Sequence, residues 1–369
     1  MRLLIAPLEM KGLLTATEVA QVMAEVLEAE WPEATLCHLP LADGGPGTLD
    51  TLAVALPSLR RIDARVQDPL GRPVHARWGL LDGELPMAFV EAAEACGLSR
   101  LALAERDPAR ATTHGVGELI AAALSHPITR LVVGLGGSAT NDGGAGALAA
   151  LGARVLDAQD CPIGPGGLPL TRLARVDLSG LDPRCAQVEW QLACDVRAPL
   201  LGATGASRLF GPQKGVHADD LERFELGLTR LADALEAETG RHLRQQPGMG
   251  AAGGLGLGLS AASGSAPVSG FDVIADLVGL DARLGEVDHV LTAEGRLDTQ
   301  SLLGKGPVRL AEWARRRGVP TTAFVGEAQH AAPCFDAIHL AHAGNPPTRE
   351  GARSAVAHAT RAWARLHRP

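Results

Sequence analysis

Thirty-four lysines and arginines against 42 aspartates and glutamates leave this 369-residue chain at a formal charge of −8, which excludes the basic footprint of a polyanion binder. Single cores stop growing at roughly 250–300 residues, so the length points to two domains. Hydrophobic residues at 46% and charged residues at 21% are globular proportions, and six Phe, five Trp and no Tyr make the cores aliphatic and exclude tyrosine chemistry.

Short aliphatic runs alternate with amphipathic stretches of helical length, the pattern of a largely parallel α/β architecture. Residues 3–6 read as a strand, 15–28 as its helix and 34–39 as a second strand. The turn Ala42-Asp43-Gly44-Gly45-Pro46-Gly47-Thr48 follows, then a helix from about Leu49. Residues 61–66, 74–80 and 87–90 read as short antiparallel strands joined by Pro-Leu-Gly and Leu-Asp-Gly turns, a change of texture that sets a domain boundary near residue 65. A helix over 115–124 leads to a buried strand over 130–135 and then to the densest glycine segment, Gly136-Gly137-Ser138-Ala139-Thr140-Asn141-Asp142-Gly143-Gly144-Ala145-Gly146. Another strand, 189–194, ends at Asp195. A long helix over 218–239 precedes a second glycine patch at 248–258, after which 288–292 reads as a strand, 307–317 as a helix stopped by Gly318, and 321–325 as a strand. These last elements repeat the rhythm of the first 60 residues. The expected division is 1–65 plus 272–369, a discontinuous doubly wound α/β domain with a mainly parallel sheet, and 66–271, an α/β domain with a mixed sheet.

No run reaches the ~18 apolar residues of a membrane span, and the apolar start is broken by Pro7, Glu9 and Lys11 too early for a signal peptide. Six cysteines without a C-x-x-C pair read as reduced, mostly buried thiols of a cytoplasmic protein. Arg315-Arg316-Arg317 closes a helix, where positive charge suits the macrodipole.

A glycine-rich segment between a buried strand and a helix offers backbone N–H groups to an anion, phosphate above all. Ser138, Thr140 and Asn141 add hydroxyl and amide groups, and Asp142 is placed to hold magnesium through water. A tight strand-to-helix turn that needs glycine for packing is the competing account. Other phosphate motifs fail: Gly306 stands where a Walker sequence needs Ser or Thr after Lys305, and Gly248-Met249-Gly250-Ala251-Ala252-Gly253 matches G-x-G-x-x-G but follows Gln245-Gln246-Pro247, not a strand. G-x-S-x-G and H-E-x-x-H are absent. Carboxylates stand beside strand ends at Asp43, Asp195 and in Glu294-Gly295-Arg296-Leu297-Asp298, where ligands of open α/β sheets gather. Lys11, Lys214 and Lys305 are each followed by glycine, in a chain that otherwise prefers arginine. A phosphate cradle, cations, magnesium and a carboxylate to take a hydroxyl proton are the parts of phosphoryl transfer.

Taken together, Ala42-Asp43-Gly44-Gly45, the 134–146 segment, Cys194-Asp195-Val196 with Gly211-Pro212-Gln213-Lys214-Gly215, the 250–254 glycines, Glu294-Gly295-Arg296-Leu297-Asp298 with Gly304-Lys305, and Ala111-Thr112-Thr113-His114-Gly115-Val116-Gly117-Glu118 resemble the bacterial glycerate kinase family from residue 2 to about 330. The resemblance implies ATP-dependent, magnesium-requiring phosphorylation of D-glycerate, usually at the 2-hydroxyl, in a cleft between two α/β domains. It implies a small-molecule partner, a monomer or homodimer, and no nucleic acid or membrane. On this reading Gly136, Gly137, Ser138, Ala139, Thr140, Asn141, Lys214 and Lys305 hold the nucleotide, Gly44, Gly45, Glu294 and Arg296 the acceptor, and Asp195 and Asp142 the metal. Asp195 is the expected carboxylate near the acceptor hydroxyl or the magnesium, with Asp43 and Asp298 as alternatives and Lys11 as a further catalytic residue. Two positions depart from the family pattern: Leu8-Glu9-Met10 replaces Asp-Ser-Phe, and Pro46 replaces a glutamate. They leave open a different hydroxy or sugar acid as acceptor, or a catalytically silent paralogue that only binds nucleotide or metabolite.

Overall fold

The computed structural model describes residues 1–10, 12–297, 306–328, 332–342, 344 and 347–368. Its contacts divide the chain into two compact units, one of Met1–Asp43, Asp50–Pro57 and Phe271–Pro369, the other of Gly44–Leu49 and Ser58–Gly270.

In the first unit Leu3, Leu4 and Ile5 are buried on both faces of strand β1 (Arg2–Ile5). Such continuous apolar runs belong to parallel sheets covered on both sides, each side chain contributing roughly 1.5–3 kcal/mol by its burial. With β2 (Thr35–His38), β11 (His289–Leu297), β12 (Thr321–Ala328) and β13 (Ala337–Leu340) it forms an all-parallel sheet in the order β13-β12-β11-β1-β2. The helices Ala16–Glu30 and Arg349–His367 place Val19, Met23, Leu27, Val356 and Trp363 in one core with Leu3, Ile5 and Phe324. Val308 and Ala311 of the helix Gly306–Arg316 pack with Ala323 and Val325, which alternate with Phe324. Helices on both sides make the unit doubly wound. Thr15 starts the first helix through a reciprocal cap: Glu18 N donates to its Oγ1 at 3.2 Å, and Glu18 Oε2 accepts from its N at 2.9 Å. The chain leaves β1 toward β2 and β11 toward β12, so the winding reverses between β1 and β11, where doubly wound sheets bind ligands.

The second unit holds β3 (Leu59–Gln67), β4 (Pro73–Leu81), β5 (Met87–Glu91), β6 (Arg130–Gly134), β9 (Glu189–Ala193) and β10 (Pro267–Val268) in one mixed sheet, order β10-β9-β6-β5-β4-β3. β3, β4 and β5 run antiparallel, while β5, β6, β9 and β10 run parallel. The helix His114–Leu124 buries Val116, Leu119, Ile120 and Ala123 against Val90, Leu131 and Val133. A separate antiparallel pair, β7 (Arg154–Asp157) and β8 (Leu173–Asp177), shares a core with Leu228, Leu231 and Leu235 of the helix Leu221–Thr239.

The α/β class with one parallel and one mixed sheet is as the sequence predicts. β7, β8, β13, the helix Leu255–Ser263 inside the second glycine patch and the helix Arg349–His367 were not among the predicted elements. Of the six cysteines, all free, Cys96 and Cys185 alone are buried, so the expectation of mostly buried thiols is corrected; Cys161 on the turn after β7 is exposed. Among the described residues no helix is long and apolar enough to cross a membrane.

Candidate active site

Three parallel strands of the second unit end level, because Glu91 pairs with Gly134 and Gly134 with Ala193. The segments that follow them leave one carboxyl edge of the sheet, where an open α/β architecture binds ligands. The Gly44–Leu49 stretch lies across that edge at a spacing only glycine permits. Gly136 N donates to Gly44 O at 3.2 Å, and a Cβ on Gly136 would come within 2.4 Å of Gly45 Cα. Gly137, at φ +74°, would put a Cβ 2.4 Å from Pro46 Cγ. Glu91, buried at the end of β5, accepts from Gly47 N at 2.9 Å and Leu49 N at 3.0 Å, a carboxylate at the positive end of the helix Thr48–Ala55.

Beyond Gly137 the loop turns into the protein. Ser138, Thr140, Asn141 and Asp142 are all buried, while Gly137 is exposed and Gly136 half-buried. Asp142 Oδ2 accepts from Thr113 N at 2.8 Å, Thr113 Oγ1 at 2.9 Å and Gly146 N at 3.2 Å, and Oδ1 from Gly144 N at 3.1 Å. Burial pushes its carboxyl above the usual range, and those bonds pull the other way. Both oxygens accept from protein donors, so direct coordination of a metal would cost Asp142 part of its hold on the loop. Its work is to tie the loop to the N-terminus of the helix His114–Leu124.

Lys214 lies on the opposite side of the same loop. It ends the helix Ala206–Lys214, is 2% exposed, and its Nζ donates to Ser138 Oγ at 3.0 Å and to Thr140 O at 2.7 Å. Burial lowers its ammonium to about 8, against the opposing charges of Cys96 and Asp142. Cys96 is itself pushed up to about 12, chiefly by burial. Asn141 Nδ2 donates to Ser207 Oγ at 3.0 Å, leaving Asn141 Oδ1 buried and unbonded. Among the described residues, the backbone N–H groups of Gly137, Ser138, Thr140, Asn141 and Asp142 meet no protein acceptor. Unpaired N–H groups in succession on a glycine loop are the donor set of an anion site.

The second glycine patch serves packing. Gly143 N donates to Gly253 O at 3.0 Å, Gly258 N to Gly143 O at 3.1 Å, and a Cβ on Gly253 would lie 2.0 Å from Thr140 O. These glycines seat the helix Leu255–Ser263 against the loop and form no dinucleotide fingerprint.

Of the residues predicted from sequence, the second unit assembles Gly44, Gly45, Gly136, Gly137, Ser138, Ala139, Thr140, Asn141, Asp142 and Lys214 around one sheet edge, with Asp195 half-buried two residues past β9. Asp43, Glu294 and Arg296 belong to the first unit. Asp43 is half-buried, Gly295 N donates to Glu294 Oε1 at 3.2 Å, and exposed Arg296 pairs with Glu327 at 3.1 Å. Lys11, Asp298 and Lys305 lie outside the described residues. Leu8 and Met10 are 5% and 1% exposed: a Cβ on Gly306 would lie 2.1 Å from Leu8 Cδ2, and Met10 joins the core of Phe324 and Ala293. Glu91 and Ser207 were not singled out from sequence, and Thr113 only as part of a motif with no role given; a lone glutamate closing an apolar strand was the available signal for Glu91.

Magnesium favours hard oxygen donors and keeps waters and substrate phosphates around one or two carboxylates. Among the described residues no three His, Cys, Asp or Glu side chains cluster for a metal, and Asp195, a half-buried carboxylate two residues past β9, is of the type that would hold such an ion.

A family model described as the glycerate kinase family matches residues 3–366. A glycerate kinase of Bacillus subtilis (strain 168) is 42% identical over 326 residues, 88% of this chain and 85% of that protein. A glycerate 2-kinase of Escherichia coli (strain K12) is 40% identical over 326 residues, again 88% and 85%. A crystal structure from Salmonella typhimurium LT2, assigned to glycerate kinase 2, matches with a TM-score of 0.86 and 39% identity, covering 99% of this chain and 98% of that one.

Proposed function

The chain belongs to the glycerate kinase family, and we propose that it transfers the γ-phosphoryl group of ATP to the 2-hydroxyl of D-glycerate, giving 2-phosphoglycerate and ADP. The observation that carries the donor half is the run of unpaired N–H groups at 137, 138 and 140–142, beside an exposed Gly137 at the carboxyl edge of a parallel sheet. Those dipoles suit phosphate oxygens, and water-poor surroundings strengthen them.

In the transfer the acceptor oxygen forms a bond to the γ-phosphorus as the bond to the β,γ-bridging oxygen breaks; the hydroxyl proton passes to a carboxylate and the ADP oxygen leaves with the electron pair. When bound, magnesium neutralises the charge shared by the phosphates. Asp195 takes the role of proton acceptor or single metal carboxylate; Asp43 and Asp298 remain the alternatives for the proton. Glu294, Arg296, Gly44 and Gly45 are assigned to the acceptor side, Lys11 to catalysis and Lys305 to the phosphates.

Pro46 gives a second reading its footing, since it is exposed in the turn over the sheet edge and brings no charge to an acid acceptor. A different hydroxy acid is the corresponding substrate class. Incubation with MgATP and a panel of hydroxy acids, followed by ³¹P NMR, separates the readings: 2-phosphoglycerate is expected from D-glycerate, another phosphorylated acid supports the second, and folded protein that forms no ADP with any of them overturns both.

A further inference from the structure

Lys214 is a buried cation with two neutral acceptors, and among the described residues no carboxylate lies within ion-pair distance of it. Desolvating an ammonium without a counter-ion is costly, and a leucine or methionine would fill the same space without that cost. The local sequence nevertheless forces the lysine inward. Gly215 stops the helix at φ +102°, and its missing Cβ lets Arg106 O approach where a side chain would come within 2.6 Å. Arg106 Nη1 then closes over the turn by donating to Gln213 O at 2.9 Å.

What the charge does follows from the donor count of a hydroxyl. Ser138 Oγ has two lone pairs and one proton; accepting from Nζ commits a lone pair and leaves the proton to be donated elsewhere. A hydroxyl polarised by an ammonium is a stronger donor toward an anion. The second bond turns Thr140 O inward, and the peptide N–H groups at 140–142 keep no protein acceptor. We infer that Lys214 is a positioning residue of the phosphate site, holding the 136–142 loop from beneath and fixing Ser138 as a hydroxyl donor to a phosphoryl oxygen, without touching the nucleotide itself. This rests on the kinase reading for its ligand, a nucleoside triphosphate.

The groups facing Lys214 are Cys96 and Asp142, with the Arg106 guanidinium over the adjoining turn. The thiol, near 12, does not titrate close to neutrality, and the Asp142 carboxyl, pushed up by burial and held down by its bonds to Thr113, Gly144 and Gly146, is kept by every variant below, so the change made at Lys214, near 8, is read against a constant background. An anion on the loop favours the charged lysine, so nucleotide affinity falls as pH rises through that value.

The test is ATP affinity by calorimetry, with KM and kcat, between about pH 7 and 9.5 for the wild type, Lys214→Met, Lys214→Arg and Ser138→Ala. In the wild type the dissociation constant and KM for ATP should rise roughly three- to tenfold across the range while KM for the acceptor stays flat. Lys214→Met should weaken ATP at least about tenfold at pH 7 and abolish the pH dependence, and Lys214→Arg should abolish the dependence by never titrating. Ser138→Ala keeps the lysine and should weaken ATP about three- to tenfold; it decides the matter if the lysine variants do not fold. Wild-type ATP affinity and pH profile in a folded Lys214→Met, or unchanged affinity in Ser138→Ala, would overturn the inference. Because ATP binding is read directly, failure of the acceptor assignment leaves ATP binding intact, whereas failure here leaves turnover intact.

Discussion

At the end of β6 the chain turns through glycines and carries polar groups inward: Ser138, Thr140, Asn141, Asp142 and, from across the loop, Lys214. At the end of β1 it turns through Leu8 and Met10 and carries apolar side chains inward instead. Both turns leave the carboxyl edge of parallel strands, yet one is held by the hydrogen bonds of two buried side chains, Asp142 and Lys214, and the other by shape. A loop held by matched donors fails when one partner is removed, because the rest stay buried and unsatisfied; a loop held by shape fails in proportion to the volume lost.

The sharpest way to break this comparison is Asp142→Ala. It strands the N–H groups of Thr113, Gly144 and Gly146 and the Thr113 hydroxyl, and should cost on the order of 3–5 kcal/mol in denaturant unfolding. A loss below about 1 kcal/mol would show the network to be dispensable and the contrast false. Met10→Ala, on the other edge, should cost about 2–4 kcal/mol as a cavity, and Leu8→Ala somewhat less. Leu8→Asp would drive a carboxylate against Gly306, so restoring the family's residues at 8–10 reads out stability before it reads out acceptor binding.

Each unit also buries a base, which sharpens the comparison along the pH axis. His289, held at about 4 chiefly by burial and then by His367, accepts or donates a 2.9 Å bond with Thr322 and lies 5.2 Å from the Trp363 ring. The unfolded chain binds more protons than the folded one between that value and the ordinary 6.5, so stability is lost as pH falls through this window, by up to about 2 kcal/mol. Lys214 acts with the same sign in a higher window: between about 8 and 10.5 the unfolded chain again binds more protons, and stability rises with pH by up to about 3 kcal/mol. Unfolding free energies across both windows check this, with His289→Gln expected to flatten the acid step and Lys214→Met the alkaline one. The smallest expected effect is that of Gly137→Ala, about 1–2 kcal/mol from its positive φ and the Pro46 ring, with or without nucleotide. A larger substituent at 137 therefore tests turn packing as much as phosphate contact.

The strand ends and glycine loops were legible because each is a local pattern: residues 131–135 are apolar, 136–146 are crowded with glycine, and nothing distant is needed to see a turn there. The direction of a side chain was not. Lys214 reads as a cation between two loops, and lysine ordinarily faces water; Ser138, 76 residues away, decides that it points inward. Asp142 reads as a surface turn carboxylate or metal ligand, and only Thr113, 29 residues earlier, reveals its buried structural bonds by supplying two of its donors. The helix Arg349–His367 was within reach of the periodicity argument, since Ala352, Val356, Ala359 and Trp363 recur at helical spacing and are the residues it buries. Small alanines among arginines gave that stripe little contrast.

Gly44–Leu49 belongs to the second unit, although the chain on either side of it, to Asp43 and from Asp50 to Pro57, belongs to the first. The second unit is therefore not a single excisable insertion. A fragment cut as 58–270 would take Glu91 without Gly47 N and Leu49 N, and Gly136 N without Gly44 O. Dissection at the obvious seams would remove the strap that closes the sheet edge, so in folding the six residues go with the body they complete and not with their neighbours in sequence.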